Sequence, residues 1–97
     1  MLNARLTVNN ELGLHARAAA YLVKGVAPFQ SAITLCRLDI DRKADAKSIL
    51  SVLTLAASKG TQIEIAVDGP DEAAALSAIE RAFETGFGEL SGQTASE

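Results

Sequence analysis

Between residues 61 and 67 every second residue is branched and apolar: Ile63, Ile65 and Val67, interleaved with Gln62, Glu64 and Ala66. Side chains of an extended strand alternate between two faces, so this stretch lays one face on a core. The same period of two recurs in residues 2–8, where Leu2, Ala4, Leu6 and Val8 oppose Asn3, Arg5 and Thr7. It recurs again in residues 31–37, with Ile33 and Leu35 expected inward and Thr34 and Cys36 outward. After the turn Leu38-Asp39-Ile40-Asp41, residues 42–45 read as a short returning strand. That hairpin contains no glycine, which leaves its turn type open. Between the strands the spacing becomes helical. Ala19, Leu22, Val23 and Val26 mark a helix over residues 16–27, slightly weakened by Gly25 and stopped at Pro28. Residues 47–57 read as a second helix closed by Lys59-Gly60. Gly69-Pro70-Asp71-Glu72 opens a third, with proline at its first helical position. Leu76, Ile79 and Phe83 form its buried stripe, and Gly86 and Gly88 end it. The order β-α-β-β-α-β-α suits an α+β layering, an antiparallel or mixed sheet with helices on one face. A ferredoxin-like split βαβ fold begins in the same order, so two architectures remain open.

Ninety-seven residues suffice for one core but not two. Residues 1–88 are expected to form that single domain, and residues 89–97 a flexible polar tail. The longest unbroken apolar run, residues 18–23, falls far short of the roughly 20 residues of a membrane helix. Residues 1–5 lack the apolar core of a signal peptide. One cysteine, Cys36, cannot close an internal disulfide, and a single His with a single Cys cannot build a zinc cluster. These features lead to the expectation of a cytoplasmic protein without metal or cofactor. The net charge of −3 conceals an asymmetry. Up to Gly60, eight Lys and Arg face four acids, whereas beyond it Arg81 faces eight. A locally basic face suits acidic protein partners. Aromatic residues make up only 4% of the chain, which argues against a nucleic-acid surface.

The single histidine, His15, stands in Asn10-Glu11-Leu12-Gly13-Leu14-His15-Ala16-Arg17, where a glycine-containing turn enters the first helix. The unpaired N–H groups and positive dipole end of that helix disfavour a protonated ring, so His15 is expected to be a neutral base and nucleophile. The same donors would receive the charge of a phosphoryl group. Gly13 permits backbone conformations other residues resist. Arg17 has the wrong charge for a first helical turn on stability grounds alone, and its fork suits a phosphoryl oxygen. In the second helix apolar residues lie nearly all round. With Val52, Leu55 and Ala56 inward, Ile49, Leu50 and Leu53 remain as a docking patch, unless the whole helix is buried. Ser48 sits at its start, where an N-cap is the plainer role and a phosphorylation site the sharper one. Cys36 has no special chemistry on this reading, and Tyr21, Phe29, Phe83 and Phe87 pack.

The segment from Asn10 to Arg17 resembles the active-site segment of HPr-type phosphocarrier proteins of the bacterial phosphotransferase system. Lys47-Ser48-Ile49-Leu50 with Lys59-Gly60 resembles the family's second signature, and the likeness spans residues 2–87. The segment from Gly69 to Phe87 looks more like the nitrogen-related branch, NPr, than a sugar-transport HPr. The resemblance implies an open-faced β-sandwich: a four-stranded antiparallel sheet covered on one face by three helices. It implies a monomeric, non-enzymatic carrier phosphorylated on Nδ1 of His15 by phospho-enzyme I, which draws on phosphoenolpyruvate. His15 would pass the group to a histidine of an EIIA-type partner, with Arg17 steadying the phosphoryl group. Ala16, Ala20, Ile49, Leu50 and Leu53 match partner-contacting positions. Ser48 matches the regulatory serine phosphorylated in some members by a dedicated kinase, HPr kinase/phosphorylase. Two features depart from the family: Ala18 replaces the usual proline after the arginine, and the Leu38–Asp41 hairpin is slightly longer. Alanine there leaves the His15 loop somewhat more mobile. Two other functions fit the bare residues, a small ligand-binding regulatory domain and a regulator acting through Ser48 alone.

Overall fold

The computed structural model describes residues 1–88. Four strands, β1 (Leu2–Thr7), β2 (Ala32–Arg37), β3 (Arg42–Asp45) and β4 (Gln62–Asp68), form one sheet in the order β1-β4-β2-β3. Every pairing is antiparallel. Strand order, not strand direction, separates the two architectures: here the last strand, β4, lies between β1 and β2, whereas in a ferredoxin-like sheet the third strand does. The register aligns Ala4 with Ile65 and Ile65 with Leu35, and likewise Leu2 with Val67 and Val67 with Ile33. These apolar rows share one face, and the helices α1 (Ala16–Val26), α2 (Ile49–Leu53) and α3 (Glu72–Glu84) supply the opposing layer. Leu22 and Val26 of α1, Val52 of α2 and Ile79 and Phe83 of α3 complete a continuous core with Ile63, Ile65, Val67 and Leu35.

α1 ends at Ala27 and Pro28 as its spacing predicts. α3 begins two residues later than expected. Asp71 is its N-cap position, Pro70 lies outside the helix, and the Asp71 carboxylate turns away from the cap. At the other end Phe87, in left-handed backbone, donates its N–H to Ala82 O at 2.8 Å. Its ring meets that of Phe83 edge-on, 4.9 Å between centroids, so the helix stop is also a core contact.

Three further expectations are corrected. The second helix has five residues rather than the eleven of the spacing-based range 47–57. Beyond Leu53 the chain tightens into three-residue bonds, Leu55 N–H to Val52 O and Ala56 N–H to Leu53 O. Ala56 then takes a left-handed φ of 49°. That reversal keeps Leu55 buried but leaves Ala56 exposed, not inward. Cys36, expected outward, is buried. It stands on an interior strand between Lys43 of β3 and Glu64 of β4, two long side chains in register with it. The glycine-free hairpin closes as a four-residue loop, Asp41 N–H to Leu38 O, with Asp41 at φ 51°. Aspartate is among the residues that tolerate this region. The proposed tail, residues 89–97, lies outside the described residues.

Candidate functional site

His15 is the N-cap residue of α1, extended at φ −82° and ψ −176°. Its carbonyl accepts the first helical bond, from Ala19 N–H at 2.8 Å, and its Nδ1 accepts from Arg17 N–H at 3.2 Å. A nitrogen that accepts carries no proton, so this geometry holds Nδ1 with its lone pair on the helix end. Capping is more often the work of Ser, Thr, Asp or Asn. A histidine there makes the cap and a potential nucleophile one atom.

The loop before it is held from several sides. Gly13 N–H donates to Asn10 O at 3.2 Å, and the Asn10 amide returns a bond to Gly13 O at 2.9 Å. His15 N–H donates to Gly13 O at 2.9 Å and Leu14 N–H to Ala57 O at 2.8 Å. Gly13 has φ +70°, and a Cβ there would meet Ala57 O and come within 2.8 Å of Ser58 Cα. Only glycine fits both the turn and the close approach to the chain leaving α2. Across the same junction Lys59 Nζ lies 2.7 Å from Glu11 Oε1, and this hydrogen bond draws the Glu11 carboxyl below its usual value.

α1 carries no acid in its first turn, and Arg17 is exposed there. Ser48 is half-buried as the N-cap of α2, its Oγ accepting from Ser51 N–H at 3.2 Å. The plainer role read from the sequence is therefore in place. On α2, Leu50 is 77% exposed and Ile49 40%, whereas Leu53 is half-buried against the core. Ala16 is exposed and Ala20 half-buried on α1. Sequence reasoning missed Leu12, 71% exposed in the His15 loop. Its signal was present: an apolar residue in a turn, belonging to no core face.

The chain matches the family model described as the phosphorylation site of the HPr component of the phosphotransferase system, over residues 2–85. This chain belongs to the HPr family. Like other HPr proteins it is a phosphocarrier of the phosphotransferase system, not an enzyme. It is 49% identical to the phosphocarrier protein HPr of Xylella fastidiosa over 89 residues, 92% of this chain and 98% of that protein. Identity to the HPr of Treponema pallidum is 46%, covering 92% and 99%. Among solved structures, an HPr from Thermoanaerobacter tengcongensis superposes with a TM-score of 0.85 at 33% identity, covering 91% of this chain and 97% of that one. The open-faced sandwich implied by the resemblance is the observed HPr fold. No helix among the described residues is long and apolar enough to cross a membrane.

Proposed function

We propose that His15 is the phosphoryl acceptor of this HPr. The Nδ1 lone pair attacks the phosphorus of a phosphohistidine on enzyme I. A new N–P bond forms at Nδ1 as the donor's N–P bond breaks, and the electron pair returns to the donor imidazole. The reverse exchange then delivers the group to a histidine of an EIIA-type protein. The observation that carries this reading is Nδ1 held on the Arg17 N–H at the helix entrance. After transfer, three anionic oxygens replace one neutral acceptor at that end, where charge-assisted bonds are stronger. The transition state is loose, so catalysis is mostly positioning and charge stabilisation, and Arg17 supplies a cation within the first turn.

Docking rests on Leu50, Ile49, Leu53, Ala16 and Ala20, a surface that would exclude water from the paired rings, and the exposed Leu12 of the His15 loop is a further apolar candidate. Ser48 serves as a second phosphorylation site for a dedicated kinase. Its Oγ lies two residues from Leu50, so phosphate there sets negative charge beside the docking patch. A cytoplasmic location and a monomeric carrier suit this role.

Incubation with enzyme I and labelled phosphoenolpyruvate tests the central step. Acid-labile label should appear on the parent and vanish in His15→Ala, and Arg17→Glu should slow the transfer without altering the fold. Undiminished labelling of His15→Ala would remove His15 from the reaction. For Ser48, acid-stable phosphate retained in Ser48→Ala after treatment with a kinase would exclude that site.

A further inference from the structure

The β2–β3 hairpin reaches over to the segment on which the His15 loop rests. Arg37, the last residue of β2, places Nη1 3.0 Å from both Leu55 O and Ala56 O. Its Nε and Nη2 grip the Asp39 carboxylate at 2.8 and 3.2 Å. Arg42, the first residue of β3, donates Nη1 to Thr54 O at 3.1 Å. Two guanidinium groups thus satisfy three consecutive carbonyls left behind by α2, whose five residues are too few to hold a helix unaided. The Arg37 side chain is only 19% exposed, and its contact with Ala56 lies on the residue held in left-handed backbone.

The next carbonyl, Ala57 O, accepts the Leu14 N–H, and the Ala57–Ser58 backbone is the surface against which Gly13 packs. A continuous main-chain path therefore runs from the Arg37 guanidinium through residues 55–57 to Leu14 and the histidine after it.

We propose that Arg37, assisted by Arg42, is a positioning residue for phosphoryl transfer. Neither arginine touches the phosphoryl group. Together they hold residues 54–56, and through the adjoining Ala57 O they fix where the His15 ring sits at the mouth of α1. The same bonds set that ring's spacing from Leu50 of α2. A guanidinium is needed because one planar group must reach two carbonyls and a carboxylate at once, which an ammonium cannot. This role deepens the reading of His15 as the acceptor and rests on it.

The test uses the full chain with Arg37→Gln, Arg37→Lys and Arg42→Gln, well below every variant's melting temperature. Three quantities are read: the kcat and KM of transfer from phospho-enzyme I, amide exchange at Leu14, and the 15N shifts of the His15 ring. Arg37→Gln should lower kcat roughly ten-fold with a smaller change in KM, because misplacement acts on the reacting geometry. Leu14 exchange should quicken roughly ten-fold as its acceptor loosens, and the ring shifts should move. Arg37→Lys should recover part of the rate by restoring one carbonyl bond. A folded Arg37→Gln with parental kcat and Leu14 exchange would overturn the proposal, as would a slower rate with His15 and Leu14 signals unmoved. Should Arg37→Gln fail to fold, Arg42→Gln removes one bond of the three and is judged by the same criteria. A parent that takes no label on His15 would sink the acceptor assignment itself, whereas a labelled parent matched by the variants would sink only the positioning role.

Discussion

At His15 two roles compete for one lone pair. The ring closes the end of α1 by accepting the Arg17 N–H, and the same Nδ1 is the atom proposed to take phosphorus. On that proposal the phosphoryl oxyanions take over the helix-end donors, which bind an anion better than a neutral nitrogen. Such a site needs a loop that cannot drift. Gly13 provides it through φ +70° and its contact with the Ala57–Ser58 backbone. Gly13→Ala should therefore destabilise the protein by about 2 kcal/mol or more, the left-handed backbone and the main-chain clash acting together. It should slow phosphorylation as well. Urea unfolding and labelling kinetics check both, and a parental midpoint would show that the loop relaxes around the added methyl.

At the scale of elements, α2 carries the proposed docking patch and leads into the segment on which the His15 loop rests. It is a single short turn of helix, with Val52 driven into the core and Leu50 presented to water. Because Leu50 is 77% exposed, Leu50→Glu should shift stability by no more than about 0.5 kcal/mol. Binding to an EIIA-type partner should weaken about ten-fold or more, as expected when charge enters an apolar contact. Calorimetric binding beside a melting curve separates the two effects. A collapse in melting temperature would assign Leu50 to the core instead. Leu53 was grouped with Leu50 by sequence spacing, but its half-buried position makes it part support, part surface.

Across the whole molecule, one half-buried carboxylate joins distant parts of the chain. Asp71, before α3, accepts the Ser31 hydroxyl, the Ser31 N–H at 3.0 Å and the Gln30 N–H at 2.8 Å. The Ser31 hydroxyl, followed by the Gln30 N–H, holds the Asp71 carboxyl below its ordinary value of 3.8. A depressed pKa contributes stability above the unfolded value and loses it as pH falls through the folded one. Asp71→Asn should therefore be less stable than the parent at neutral pH, with the gap closing as pH drops below 3.8. A gap that stays constant into acid would mean the carboxylate's charge is irrelevant there.

Much of this was legible in the residues because it is local. A period of two or 3.6 follows from backbone geometry, so seven elements in order, the buried faces of β1, β4, α1 and α3, and the position of His15 at a helix entrance were readable. The stop after α3 was readable too, because glycine at left-handed positions is a property of single residues. What spacing could not give depends on groups far apart in the chain. The end of α2 and the arginines that hold residues 54–56 arise only when the hairpin and α2 meet, and Cys36 is buried only once β2 lies between β3 and β4. Apolar spacing carries no record of which carbonyl a distant guanidinium will reach. The sequence determined which residues can do the chemistry, and the tertiary structure decided how they are held in place to do it.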